Sequence, residues 1–227
     1  AFDRARGVTV LFGGYSRKSG VFGSTLNFYE DTWEYDGDTW TERISGGSTP
    51  GPRQHHAMAY DAERHRVVLH GGKDVDELDA LWEWDGETWV APEVVGAVPP
   101  VRRDHASIYD TVRKRTVMWG GYTPGYCVEW EQSCGAFVGC TTFCSTTAAA
   151  RTLEDTWSWD GQAWSEWIDA EIVPPEVSGH VMAFDSQRGV AVLSHPNGEL
   201  WEFDVGLHSR PGQRFTVDWT EALADPD

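Results

Sequence analysis

No stretch of this 227-residue chain approaches the roughly 20 consecutive apolar residues of a membrane-crossing helix. Basic charge is scarce too: 18 Lys and Arg stand against 36 Asp and Glu, a formal charge of -18. Such a surface repels a phosphate backbone or an anionic bilayer, so neither nucleic acid binding nor membrane insertion is expected. Lysine is scarcer still, with 3 of the 18 basic residues (Lys18, Lys73, Lys114), an arginine bias compatible with a bacterial, GC-rich coding sequence. Cysteine is missing everywhere except one segment, which holds Cys127, Cys134, Cys140 and Cys144. An even number so confined favours two local disulfides and an oxidising compartment: extracellular, periplasmic or cell-surface. Three connectivities stay open. The Cys spacings of six, five and three residues are not the paired Cys-x-x-Cys of a zinc site.

What the chain has in excess is tryptophan, 13 residues, and a repeat accounts for them. Ala1-Phe-Asp-Arg-Ala-Arg-Gly-Val-Thr-Val-Leu-Phe-Gly-Gly14 returns as Ala59 to Gly72, as Ile108 to Gly121 and, decayed, as Ala183 to Ser194. A second element follows each copy: Trp33-Glu-Tyr-Asp-Gly-Asp-Thr-Trp40, Trp82 to Trp89, Trp157 to Trp164, and a divergent Trp201-Glu-Phe-Asp204. Asp218-Trp219 echoes Thr39-Trp40 after a longer loop. The turn residues Asp3, Asp61, Asp110 and Asp185 lie 58, 49 and 75 residues apart, the last gap holding the Cys-rich insertion.

Within each copy the period is two and the apolar runs are short and rich in Val, Trp and Tyr, the mark of strands. Asp-Gly at 36-37, 85-86 and 160-161 predicts a two-residue type I′ turn joining the third and fourth strands. Four antiparallel strands per copy result. A lone four-stranded sheet cannot bury large rings on both faces, so the sheets must stack about a hub, which is a β-propeller. The same residues carry a resemblance: the Gly pairs 13-14, 71-72 and 120-121, the paired aromatics of the third strand, and Trp40, Trp89, Trp164 and Trp219 on the fourth make the chain similar to bacterial kelch-type propellers, the repeat family that includes the propeller of galactose oxidase. The expected organisation is an all-β, kelch-like propeller segment over 1-221. Its blades fall at about 1-45, 53-92, 102-168 with the insertion 122-151, and 177-221, before an acidic tail at 222-227. The first blade lacks most of its inner strand, so further blades or a second chain are expected to complete a larger ring.

Chemistry has several candidate seats. His56, His105 and His180 each lie five residues before a turn Asp, with Arg53 and Arg102 three residues before the first two and Arg103 beside the second. Near the axis they could bind an anionic or sugar-like group. The packing reading is preferred, because a residue repeated in every blade serves every blade alike. The turn Asp and nearby Arg read as turn chemistry. Loops between the second and third strands, Tyr15 to Asp31, Lys73 to Leu81, Tyr122 to Asp155 and His195 to Leu200, vary most and are where function is expected. The third places Tyr122, Tyr126 and Trp130 beside the four Cys, a patch suited to a glycan or a protein. Asp74, Asp76, Glu77 and Asp79 could attract calcium but lack the order of an EF-hand loop.

No cofactor and no catalytic residue is expected. The function that follows is a non-catalytic, secreted scaffold that binds a protein or carbohydrate through its loops and channel mouth. The rival implied by the resemblance is a copper-radical oxidase, for which Tyr15, Tyr122 or Tyr126 with His70 and His195 are the available ligands, though no spacing selects them. A purely structural segment of a larger surface protein is the third reading.

Overall fold

The structure, a computed structural model, describes residues 1–20, 23–74, 80–124, 126–135, 139–167, 178–203 and 213–215; of 126–135, 139–148, 203 and 213–215 it describes the backbone alone. Every regular element among the described residues is a strand, and the strands form four antiparallel, four-stranded meanders. The first is β1 (Phe2–Asp3), β2 (Val8–Gly20), β3 (Gly23–Tyr35) and β4 (Trp40–Arg43); the second is β5 (Ala57–Asp61), β6 (Arg66–His70), β7 (Leu81–Trp84) and β8 (Trp89–Val90). In the third, β9 (Ala106–Asp110) and β10 (Arg115–Thr123) lead into a separate ribbon of β11 (Tyr126–Gly135) and β12 (Gly139–Ala148), after which β13 (Arg151–Trp159) and β14 (Trp164–Trp167) complete the sheet. The fourth is β15 (Val181–Asp185), β16 (Val190–Ser194), β17 (Leu200–Phe203) and β18 (Gln213–Phe215). The innermost strands β1, β5, β9 and β15 adjoin one another in that order and form the hub of a β-propeller. Inner strand β1 is two residues long, as the repeat alignment requires.

Two sequence expectations are corrected. The segments 15–31 and 122–155 are mostly not loops: β2 and β3 continue as a paired ribbon out to Gly20 and Gly23, and β11–β12 form a second one. The first carries Tyr15, Phe28 and Tyr29 and the second is rich in Thr, residue types that favour a pleated surface. The Asp-Gly turns are not type I′. Gly37, Gly86 and Gly161 have φ near +100°, while the residues on either side of each do not have positive φ. A type I′ turn needs positive φ at both central residues and only the Gly has it; Asp36 Oδ1 accepts the amides of Asp38 and Thr39 at 2.9 and 2.8 Å to hold the turn. The fourth strand of the last sheet is Gln213–Phe215, whereas Trp219 lies outside the described residues.

Strict alternation gives each sheet a leading face, turned toward the preceding sheet, and a trailing face turned toward the next. In the first seam Val10 and Phe12 of the trailing face meet Tyr60, Val67, Leu69, Trp84 and Trp89. In the second, Val68 and Leu81 meet Met118, Trp157, Trp159 and Trp164; in the third, Val117 and Trp119 meet Ala191 and Leu193. Each buried indole takes about 150–250 Å² from water, several kcal/mol gross. The indole N–H groups are also placed: Trp84 Nε1 donates to Glu34 Oε1 at 3.1 Å, Trp159 Nε1 to Glu83 Oε1 at 2.9 Å and Trp89 Nε1 to Thr32 Oγ1 at 2.9 Å. Burial works to raise the Glu34 carboxyl, but bonds from Trp84, Arg6 and Arg43 outweigh it and hold the group below its ordinary range.

Candidate functional site

The segment ahead of each inner strand positions the functional candidates, and the Gly pairs make room for it. Gly71 has φ +66°, and a Cβ there would stand 2.5 Å from the Arg102 carbonyl oxygen and 2.8 Å from His105 Cε1. Gly14 N–H donates to the Arg53 carbonyl at 2.8 Å, and Gly72 N–H to that of Arg102 at 2.9 Å, so main-chain bonds cross both seams. The arginine side chains then turn into the protein. Arg53 is 1% exposed and donates from Nη1 to the Gly71 carbonyl at 2.9 Å; Arg102 is fully buried, donates to the Gly120 carbonyl and forks Asp155 at 2.7 and 2.6 Å. Asp155 also accepts the Trp157 indole, and the Arg102 guanidinium overcomes the effect of burial to keep its carboxyl below the usual range.

The repeated histidines lie in the same seams. His56 packs edge-on against Phe12 at 5.9 Å between ring centres, and His105 against His70 at 5.5 Å. Phe12 and His70 occupy one repeat position, directly before the Gly pair. Burial pushes His56 and His70 down to about 3 and His180 to about 4, and drives His105 well below its ordinary value, with neighbouring cations adding to the effect on the first two and His105. Burial between the blades thus favours the neutral form of each imidazole. His105 keeps both ring nitrogens buried without a partner.

One residue earlier in the repeat, the side chains point the other way. His55, Asp104 and Gly179 share that position, and all three have positive φ of 59°, 55° and 71°. Their main chains link the blades, Asp104 N–H to the His55 carbonyl at 3.0 Å and Gly179 N–H to that of Asp104 at 2.8 Å. Glycine takes this backbone without strain; His and Asp are among the few other residues that tolerate it. The outcome is a row of side chains across the loop end of three blades. The Tyr15 ring stacks on His55 at 6.5 Å, His55 Nδ1 meets Asp104 Oδ1 at 2.6 Å, Arg103 Nε lies 3.3 Å from Asp104 Oδ2, and the Arg103 guanidinium sits 4.5 Å over the Tyr122 ring. Tyr15 is 52% exposed and the His55 side chain 42%. Flat phenol faces flanking an imidazole, a carboxylate and a guanidinium can stack on the apolar face of a sugar ring while bonding its hydroxyls.

Of the sequence candidates, Arg103 and Tyr122 belong to this row; Arg53, Arg102, His56, His105 and His180 belong to the seams. Tyr126 and Trp130 lie on the backbone of β11, and their side chains, with those of all four Cys, lie outside the described residues. The backbone register sets Cys134 opposite Cys140. Asp76, Glu77 and Asp79 also lie outside the described residues. Among the described residues no three His, Cys, Asp or Glu side chains are grouped as a metal ion requires. Sequence reasoning did not single out His55 and Asp104. Their signal is a repeat position, six residues before the turn Asp, that changes from His to Asp to Gly while its neighbours repeat. At the opposite, turn end a depression of about 260 Å³ is lined by one aromatic ring from each blade, Phe2, Tyr60, Tyr109 and Phe184. Burial and Asp61 push the Tyr109 phenol up to about 12, so that ring is tied into its seam.

No protein-family model matches the chain, and no curated protein matches it. Among solved structures, the structure of YjhT is similar with a TM-score of 0.54 at 13% identity, covering 83% of this chain; the chain spans 59% of that one. A cryo-EM structure of RAG in complex with one melted and one unmelted RSS is similar with a TM-score of 0.50 at 13% identity, covering 90% of this chain and 67% of that one. At such identity the likeness shows the fold alone: the chain is a β-propeller.

Proposed function

We propose that the chain is a kelch-like, exported and non-catalytic propeller scaffold that binds a carbohydrate at its loop-end mouth. The observation that supports this reading most is the row Tyr15–His55–Asp104–Arg103–Tyr122, exposed at Tyr15 and His55 and half-buried at the other three, which crosses three blades. An exposed phenol, Tyr15, beside paired polar groups suits a polyol, and the net charge of -18 favours a neutral or cationic glycan over an acidic one. The four Cys of the insertion support export. The test is a glycan array with the 227-residue chain, followed by calorimetry on the best ligand. Tyr15→Ala and Arg103→Ala are expected to abolish binding while the thermal midpoint holds. Silence on the array, together with capture of a protein from the source envelope that survives both substitutions, would move the reading to a protein partner.

A further inference from the structure

We infer that Cys134 and Cys140 form a disulfide across the ribbon of β11 and β12, and that it is the one bridge this fold closes within the chain, leaving Cys127 and Cys144 as thiols. The ribbon calls for a staple. Among the described residues β11 and β12 pair with each other alone, as a separate two-stranded sheet. An isolated two-stranded hairpin is marginally stable at best in water. The strands also meet at Gly135 and Gly139, and glycine specifies register weakly.

The backbone register selects the pair. Cys134 stands directly opposite Cys140, one step from the Gly135 and Gly139 pair at the tip. Directly opposed residues of an antiparallel pair share a face with Cα atoms about 4.5–5.5 Å apart, inside the roughly 4.4–6.8 Å that a disulfide spans. Every other pairing is too long. Cys127 and Cys134 lie seven residues apart on β11, and Cys140 and Cys144 four apart on β12. Cys144 is opposite Trp130, which is four residues from Cys134 and three from Cys127; Cys127 is opposite Thr147, seven residues from Cys140. At about 3.3 Å per residue the shortest of these offsets is about 10 Å, beyond the reach of about 7 Å. None of the three connectivities therefore closes two bridges here. The bond forms by exchange with an oxidised dithiol donor, the class of oxidant that an exported chain meets. The Cys134 thiolate attacks one donor sulfur and breaks the donor disulfide, giving a mixed disulfide, and the Cys140 thiolate then displaces the donor. The protein gives up two electrons, and the donor leaves as a dithiol carrying the two cysteine protons. The bridge fixes the register of a ribbon that begins at Tyr126, four residues after Tyr122 of the mouth, whatever the mouth binds.

Peptide mapping tests this on the 227-residue chain, equilibrated in an oxidising glutathione buffer, alkylated in denaturant and cut with chymotrypsin. Cleavage after Tyr126, Trp130, Phe137 and Phe143 puts each cysteine on its own peptide. The expected map has Cys134 linked to Cys140, with Cys127 and Cys144 alkylated or each capped by one glutathione. Cys127→Ser/Cys144→Ser is expected to keep the link and to lose both modified sites. Any other link between two cysteines of the chain overturns the inference, as do four unlinked cysteines in the wild type or loss of the Cys134–Cys140 link in the double variant. These outcomes are independent of the glycan array.

Discussion

Arg102 and Asp155 form a two-pronged ion pair at 2.7 and 2.6 Å, with the guanidinium fully buried. Arg102 also bonds the Gly120 carbonyl and lends its own carbonyl to Gly72 of the preceding blade, so one residue fastens strand, loop and seam. The first sheet has Asp31 at the position of Asp155; it keeps the Trp33 indole at 2.7 Å, and its Oδ1 is buried without a partner.

Truncating Arg102 strands a charge. Arg102→Ala is expected to cost about 3–5 kcal/mol in urea unfolding, because Asp155 is left uncompensated. Arg102→Lys should recover little of it, since an ammonium cannot fork a carboxylate and reach Gly120 together.

The tryptophans differ in what their N–H groups do. Trp84→Phe keeps most of the ring but takes one of three donors from Glu34, leaving Arg6 and Arg43, and should cost about 1.5–3 kcal/mol beyond the lost area. Trp82 Nε1 has no partner in its buried setting, so Trp82→Phe should be milder. Matched denaturant melts of the two variants check the order.

Acid should weaken the fold well above the carboxylate range. His56 and His70 are held at about 3 and His180 at about 4, all below their unfolded value. The folded state therefore binds fewer protons than the unfolded one, and this contribution is complete above about pH 6.5 and lost progressively as pH falls toward about 3. His70→Phe, which installs the residue found at the same position in Phe12, should remove one such group and relieve up to about 2 kcal/mol at pH 5. Denaturation midpoints of both proteins at pH 5 and 7.5 read this directly; parallel slopes would count against it.

Glycine at the end of the second strand is needed for two separable reasons. Gly14 and Gly71 both have positive φ, but a Cβ at Gly14 meets nothing within 4 Å whereas one at Gly71 meets Arg102 and His105. Gly14→Ala should cost about 1–3 kcal/mol from backbone strain alone. Gly71→Ala should cost clearly more and also open the second seam, seen as altered Trp164 fluorescence, since Trp164 packs against His70.

Much of this architecture is legible in the residue order. Alternation in Val67 to His70 and Trp82 to Trp84, together with the fourfold return of the turn Asp, is enough to place strands, sheets and hub. The shared placement of His56 and His105 follows their recurrence: both rings lie between blades, against Phe12 and His70. What could not be read is which carbonyl a Gly pair faces, since Arg102 is 31 residues from Gly71 and only the closed seam brings them together. The binding row was hidden for the opposite reason. His55 and Asp104 do not repeat, and their pairing at 2.6 Å depends on left-handed backbone that composition does not announce. The ribbons at 15–31 and 122–155 were hidden because Gly- and Ser-rich ends mask their pairing.

Each seam joins a leading face to a trailing face, and every sheet owns one of each. A stretch of DNA encoding one sheet therefore carries both halves of the joint. Copying it in tandem lengthens the arc with no compensating mutation, because the newcomer fits its parent on either side. Such a protein can gain or shed members over evolutionary time while the non-repeating tips at the rim diversify independently.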